Sequence, residues 1–336
     1  MTRDIASQVV VNGRFLARRI TGVERYGREI LRFIGDRSRL ESTRSQGWRG
    51  HLWEQFVLPT KLSRGSLLWS PANTGPLIVR DQALTIHDLS PLEHPEWFRT
   101  NFAAWYRLFL PILARRVQIV FTPSAYVKRK VMKRFGLSHV TVTPNGVDRS
   151  LFHPGAIQTR FDPPARYVLF VGTLEPRKNL GTLLHSWNEI KDDFKETWLL
   201  ITGISGNVFK TVNLSPGMER VHFLGYVDDE TLAGLYANAT VFVLPSQEEG
   251  FGLPALEAMA SGTPVIVSDG GALPEVTGEA GMIFCLTDAG SLTKALRECL
   301  SSARLRASLR EKGLERAERF SWQTTAEIVW KSFNEG

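Results

Sequence analysis

The stretch Ser246-Gln-Glu-Glu-Gly-Phe-Gly-Leu-Pro-Ala-Leu-Glu-Ala-Met-Ala-Ser-Gly262 follows an apolar run, Thr240 to Leu244, and reads as strand, tight loop and helix. Pro254 suits the first helical position, where its missing N–H costs nothing, and Gly262 stops the helix after Ala258, Ala260 and Ser261. Free N–H groups at such a helix start favour an anion, and Gly250 and Gly252 let the main chain approach it closely. Glu249 and Glu257 flank this turn. An ionised carboxylate only accepts hydrogen bonds, so each can take two hydroxyl donors from a vicinal diol. A diphosphate with a sugar on one side and a ribose on the other matches that arrangement, and the stretch reads as a nucleotide-sugar clamp.

Outward from it, short apolar runs alternate with helical stretches, the pattern of parallel sheets covered on both faces. Strands are expected at Gln8 to Val11, Ser66 to Trp69, Ala83 to Ile86, Gln118 to Phe121 and Val140 to Thr143, with helices at Gly22 to Ile34, Asn101 to Arg116 and Ala125 to Phe135. A proline-rich segment without periodicity, residues 153–166, reads as a linker. A second series follows, with strands at Tyr167 to Val171, Trp198 to Thr202, Val221 to Leu224, Thr240 to Leu244 and Thr263 to Val267. Its helices are expected at Leu180 to Ile190, Asp229 to Ala237, Pro254 to Ala260, Gly290 to Ser301 and Ala303 to Arg319. The fold class is α/β: two Rossmann-like, doubly wound domains, 1–152 and 167–320, facing across a cleft. Ligands are expected there, beyond the strand ends. The tail, 321–336, has an amphipathic rhythm and is expected to be a helix bracing the two halves.

A chain of 336 residues exceeds the size at which one core stops growing, in agreement with two domains. With 43% hydrophobic and 22% charged residues, its composition is that of an ordinary globular protein. Only Cys285 and Cys299 occur, without metal-ligand spacing, so neither a disulfide framework nor a zinc module is expected. No apolar signal core opens the sequence, and no apolar run approaches the roughly 18 residues of a spanning helix. A cytoplasmic protein is expected.

A formal charge of +7 calls for an anionic partner. Arg14, Arg18, Arg19, Arg25, Arg28 and Arg32 form one cluster, and Lys128, Arg129, Lys130, Lys133 and Arg134 another. Two readings stay open: solvated helix faces, or a surface for anionic lipid headgroups or a phosphorylated acceptor on the inner face of the membrane. Nucleic acid is not expected, because no helix-turn-helix, zinc or ribonucleoprotein signature accompanies the charge. Phe102, Trp105, Tyr106, Phe109 and Leu113 follow helical spacing and are read as a core-facing stripe, with an exposed patch for lipid as the alternative.

The segment Glu249-Gly-Phe-Gly-Leu-Pro-Ala-Leu-Glu257 closely resembles the Glu-x7-Glu motif of retaining glycosyltransferases of family 4 (GT4), which have the two-domain GT-B architecture. Val171-Gly-Thr-Leu-Glu-Pro-Arg-Lys-Asn179, Thr85-Ile-His-Asp-Leu89, Thr143-Pro-Asn-Gly-Val-Asp148 and Thr21-Gly-Val-Glu-Arg-Tyr26 resemble further landmarks of that family, in its order. The resemblance implies a donor diphosphate against Arg177 and Lys178, ribose hydroxyls on Glu257, and Glu249 and His87 near the transferred sugar. It implies backbone contacts from Gly250, Phe251, Gly252 and Leu253, a nucleobase near Tyr226 and Val227, and an acceptor-side loop at Gly22, Val23, Arg25 and Tyr26. Thr173 stands where many relatives carry arginine, which shifts the diphosphate onto Arg177 and Lys178.

The implied activity is retaining transfer of an α-hexose to a lipid-linked or polysaccharide acceptor in bacterial surface polysaccharide synthesis. Similarity of two segments to bacterial mannosyltransferases favours GDP-mannose as donor, with a UDP-sugar next. No Asp-x-Asp occurs, so no metal and no cofactor beyond the donor co-substrate is expected. A nucleotide-sugar epimerase or hydrolase, or a non-catalytic sugar-nucleotide binder, are the alternatives. Hydride transfer is not expected, since neither half opens with Gly-x-Gly-x-x-Gly after its first strand.

Overall fold

The computed structural model describes residues 9–157, 162–204 and 219–335, which leaves Gln8 and residues 158–161 of the expected linker outside the described residues. The chain divides into two compact units. One holds residues 9–93, 100–146 and 321–335, and the other holds 94–99 and the described part of 147–320.

In the first unit six parallel strands, β1 (Val9–Asn12), β2 (Arg39–Glu41), β3 (Leu67–Ser70), β4 (Gln82–Thr85), β5 (Ile119–Thr122) and β6 (Thr141–Val142), lie in the order β2-β1-β3-β4-β5-β6. The run Val9-Val10-Val11 is buried throughout, as a central parallel strand covered on both faces requires. After β1 the chain moves to one side for β2, then crosses to the other for β3, so the carboxyl ends of β1 and β3 border a topological switch point. Helix Gly22–Ile34 starts from a capping box, in which the Thr21 N–H donates to Glu24 Oε2 at 3.2 Å. Tyr106, Phe109 and Leu113 of helix Thr100–Arg116 are buried, and Phe102 and Trp105 pack partly buried against the same core, so the aromatic stripe faces inward.

Helix Trp322–Glu335 belongs to this first unit. Its Trp322 ring meets Tyr26 at 6.1 Å, and Phe333 meets Trp69 at 6.1 Å and Phe121 at 5.9 Å. Thr325 also donates to the Pro144 carbonyl. The first unit thus ends at residue 146 rather than 152 and regains the chain at 321.

The second unit carries β7 (Tyr167–Val171), β8 (Trp198–Thr202), β9 (Val221–Gly225), β10 (Val241–Leu244), β11 (Val265–Ser268) and β12 (Gly281–Phe284), parallel and ordered β12-β11-β10-β7-β8-β9. Its core joins Val168, Phe170, Ile201 and Val243 to Leu183 and Trp187 of helix Leu180–Ile190 and Leu296 of helix Ser291–Ser301. The switch point lies between β7 and β10, so whatever follows these two strands is brought to one place. Both sheets gain an edge strand that sequence reading does not anticipate, β2 and β12. Arg39-Leu-Glu41 is short and polar, and Gly281-Met-Ile-Phe284 begins on a strand-weakening glycine.

Candidate active site

After β7 the chain passes Gly172 and a half-buried Thr173, then makes one 3₁₀ turn, Pro176–Lys178. Pro176 presets the backbone for that turn, and Asn179, left-handed at φ 52°, redirects the chain into helix Leu180–Ile190. Lys178 and Arg177 are thereby carried over the end of β10. The Gln247 N–H donates to the Arg177 carbonyl at 2.7 Å, and Arg177 donates back to the Glu248 carbonyl at 2.9 Å, so the two loops are stitched together.

Glu249 lies at the centre of this junction. Lys178 Nζ at 2.5 Å and Ser246 Oγ at 2.7 Å donate to its Oε1, and Arg177 donates to its Oε2 at 2.9 Å. Arg177 also donates to Glu175 Oε1 at 2.9 Å. Glu175, Lys178 and Glu249 are all buried. Burial would raise the Glu249 carboxyl, but Arg177, Lys178 and the Lys178 and Ser246 hydrogen bonds outweigh it and hold the group down at about 2. Burial dominates at Glu175 and raises it, with Glu249 adding to the rise. Glu249 is therefore ionised, and the two cations are fixed in place before any ligand arrives.

The loop after β11 supports the same turn. The Ala272 N–H donates to the Glu249 carbonyl at 2.8 Å, and a Cβ on Gly271, left-handed at φ 69°, would stand 2.3 Å from that oxygen. Only glycine fits there. Gly252, at φ 99°, caps helix Leu253–Ala260, which carries Glu257 inward to 4% exposure. Tyr236 donates its hydroxyl to Glu257 Oε2 at 3.3 Å. The Phe251 ring packs edge-on against Phe320 at 5.7 Å, and Leu253 is buried, so at these two positions only the main chain remains for a ligand. Beyond β9, Tyr226 is 60% exposed and Val227 half-buried.

In the first unit His87 follows β4. Its Nε2 lies 2.7 Å from the Pro71 carbonyl, which can only accept, so Nε2 carries the proton and Nδ1 is the acceptor. Burial holds the ring below its ordinary pKa, against the opposing pull of the Pro71 carbonyl, Asp88 and Glu24. His87 is neutral at pH 7. Among the proposed acceptor-loop residues Gly22 is exposed, and Val23 and Arg25 are half-buried. Tyr26 is a correction: it is fully buried, donates or accepts at Thr143 Oγ1 at 2.8 Å, and packs edge-on behind His87 at 4.9 Å. Helical period turns it inward, beside Trp69 and Trp322, so it backs the histidine instead of meeting an acceptor. Arg14 is a second correction, since it belongs neither to a solvated face nor to a lipid surface but is buried in an ion pair with Glu54 at 2.9 Å.

Two family models match the chain: Glycosyltransferase Family 4 over residues 79–151 and Glycosyl transferases group 1 over residues 157–316. The chain belongs to this glycosyltransferase family. It is 29% identical over 252 residues to the O-antigen chain mannosyltransferase B of Escherichia coli, covering 71% of this chain and 66% of that one. With the MMP alpha-(1->4)-mannosyltransferase of Mycolicibacterium hassiacum it shares 35% over 241 residues, 68% of this chain and 57% of the relative. The chain thus spans under two thirds of the length of both relatives. Sucrose-phosphate synthase from Thermosynechococcus elongatus superposes with a TM-score of 0.73 at 19% identity, covering 97% of this chain and 98% of that one, which shows a shared fold.

Sequence reading passes over Glu175, Ser246 and the Gly270-Gly271 turn. The Gly-Gly pair directly after a strand is the signal that finds the last of these. Nothing local marks Glu175 or Ser246, whose roles come from contacts across the switch point.

Proposed function

We propose that the protein is a retaining glycosyltransferase that moves an α-hexose, with mannose from GDP-mannose as first choice, onto a lipid-linked or polysaccharide acceptor. The observation that carries this reading is Glu249 clasped by Arg177 and Lys178 at the β7/β10 switch point. A donor diphosphate set against these cations gains stabilisation as negative charge grows on the leaving group, and the cations need no rearrangement to supply it. In a front-face reaction the bond from the sugar's anomeric carbon to the diphosphate oxygen breaks while one to the acceptor oxygen forms on the same side. The acceptor's proton passes to the leaving phosphate. Glu257 suits the ribose diol, and the Nδ1 of His87 suits a sugar hydroxyl. Mannose is favoured by the names of the two relatives above.

With Arg177 and Lys178 set against the diphosphate and no Asp-x-Asp in the chain, transfer is expected to continue in EDTA. Loss of transfer on chelation with recovery on Mn2+ or Mg2+ would overturn that expectation. A thermal-shift series with GDP, UDP, ADP and their sugars tests the donor, because a ligand bound only by the native state raises the melting temperature. GDP-mannose is expected to give the largest rise, and nucleotide release is expected to require acceptor. An isomerised sugar, or rapid release without acceptor, points instead to the epimerase or hydrolase. Glu257→Ala is expected to weaken donor affinity about tenfold to a hundredfold by calorimetry, by removing a buried charged acceptor; unchanged affinity removes the ribose assignment.

No helix among the described residues is long and apolar enough to cross a membrane. A peripheral seat on anionic lipid fits helix Ala125–Phe135, where Arg129, Lys133 and Arg134 are exposed.

A further inference from the structure

A one-turn π-helix, Trp53–Val57, follows helix Gly47–Leu52. Such turns interrupt the ordinary ladder and re-aim side chains, and they occur disproportionately at functional sites. Here the turn points Glu54 and Gln55 at the loop that leaves β3 beside the β1/β3 switch point.

Glu54 is 1% exposed and anchored from below, with its Oε1 accepting from Asn12 Nδ2 at 2.7 Å and its Oε2 from Arg14 at 2.9 Å. Its Oε1 also accepts from Thr74 Oγ1 at 3.0 Å. Gln55 donates to the Gly75 carbonyl at 2.9 Å and accepts from the Leu77 N–H at 3.0 Å. The loop is therefore held at three points, Thr74, Gly75 and Leu77. Its other side holds His87: the Pro71 carbonyl takes the Nε2 proton at 2.7 Å, and Asn73 Oδ1 takes the His87 N–H at 2.7 Å. Asn73, in the second of these groups, stands left-handed at φ 63°, a conformation that costs energy in a residue with a side chain and persists only where its surroundings enforce it. A Cβ on Gly75 would stand 2.0 Å from Gln82 Oε1, so the loop has no slack to drift.

We propose that the Glu54–Gln55 π-turn is a positioning device for glycosyl transfer: by clamping residues 74–77 it fixes the Pro71 carbonyl, and that carbonyl fixes the tautomer and aim of His87. Glu54 and Gln55 are positioning residues and touch no substrate. The inference rests on the transfer reaction proposed above for its catalytic consequence, and on geometry alone for the tautomer.

The test uses the full chain labelled with 15N-histidine, with His87 resonances assigned by a His87→Asn variant. Wild type is expected to show His87 as a single Nε2–H tautomer at pH 7.5. Thr74→Val, which removes one hydroxyl at nearly constant volume, and Gln55→Leu, which acts on the half-buried partner, are each expected to give a mixed tautomer. Both are expected to lower kcat about tenfold or more with donor KM nearly unchanged, since a small misplacement of a group that orients the reacting sugar is costly. Thr74→Ser should restore both readouts. Folded variants that keep the single Nε2–H tautomer overturn the clamp, and a changed tautomer at wild-type kcat overturns its role in transfer. If wild type itself transfers no sugar, the reaction reading fails while the tautomer measurement still decides the clamp.

Discussion

Glu249→Gln is expected to separate ligand binding from turnover: nucleoside diphosphate affinity rises while kcat falls by about a hundredfold to a thousandfold. The substitution keeps shape but leaves Arg177 and Lys178 facing only Glu175, whose carboxyl burial already raises. Removing one partner of a buried ion pair costs about 3–5 kcal/mol, which corresponds to a melting temperature lower by roughly 10 °C in a chain of this size. An incoming diphosphate then relieves the unopposed cations, so GDP should raise the melting temperature more in the variant than in wild type. Sugar orientation and product release both suffer, and kcat falls. The stability difference carries a pH signature. Glu249 has a folded pKa of about 2 against an unfolded value of 4.5, so between these values the unfolded state binds more protons and stability rises with pH. The wild-type advantage is full above about 4.5 and disappears as pH falls toward 2. Denaturant midpoints across that range, together with GDP titrations, check the prediction; equal midpoints and equal kcat would dismiss the central role of this carboxylate.

Lys178→Met is expected to be the most damaging single change to transfer that leaves the unit folded. Methionine retains the apolar stem, which lies 3.4 Å from the position of a Cβ on Gly172, and deletes only the ammonium. Glu249 keeps Arg177 and Ser246, so the loops stay joined. What is lost is the cation that a leaving diphosphate needs most, because Arg177 is tied as well to Glu175 and the Glu248 carbonyl. Donor affinity should fall by about thirtyfold to a hundredfold and kcat by about a thousandfold. Lys178→Arg should recover little, since a planar guanidinium does not reproduce the compact ammonium that meets Glu249 at this buried position. Turnover within threefold of wild type for Lys178→Met would show that the diphosphate lies elsewhere.

The sheets were legible because their strands are runs of branched apolar residues, and the donor turn was legible because glycines, proline and two carboxylates sit at fixed spacing. Periodicity reports which face of an element is apolar, but it does not report which loops meet. The Arg177 contact with Glu249 and the Gly271 support are both tertiary facts. The π-turn was illegible for a further reason. Gly47 to Val57 mixes glycine, arginine, histidine and tryptophan without a helical stripe, and its one telling residue, Glu54, resembles an ordinary surface charge until Asn12, Arg14 and Thr74 surround it. The edge strands β2 and β12 were missed because short edges carry few of the residues that mark strands.

Helix Trp322–Glu335 lends Trp322, Val329 and Phe333 to the interior of the first unit. On the ribosome, the amino-terminal sheet therefore waits with part of its interior uncovered until synthesis has reached Phe333, and the lobe made later can finish before the one made first. A plasmid encoding only residues 1–146 should yield an aggregating fragment, and supplying the missing helix as a separate peptide should recover soluble material.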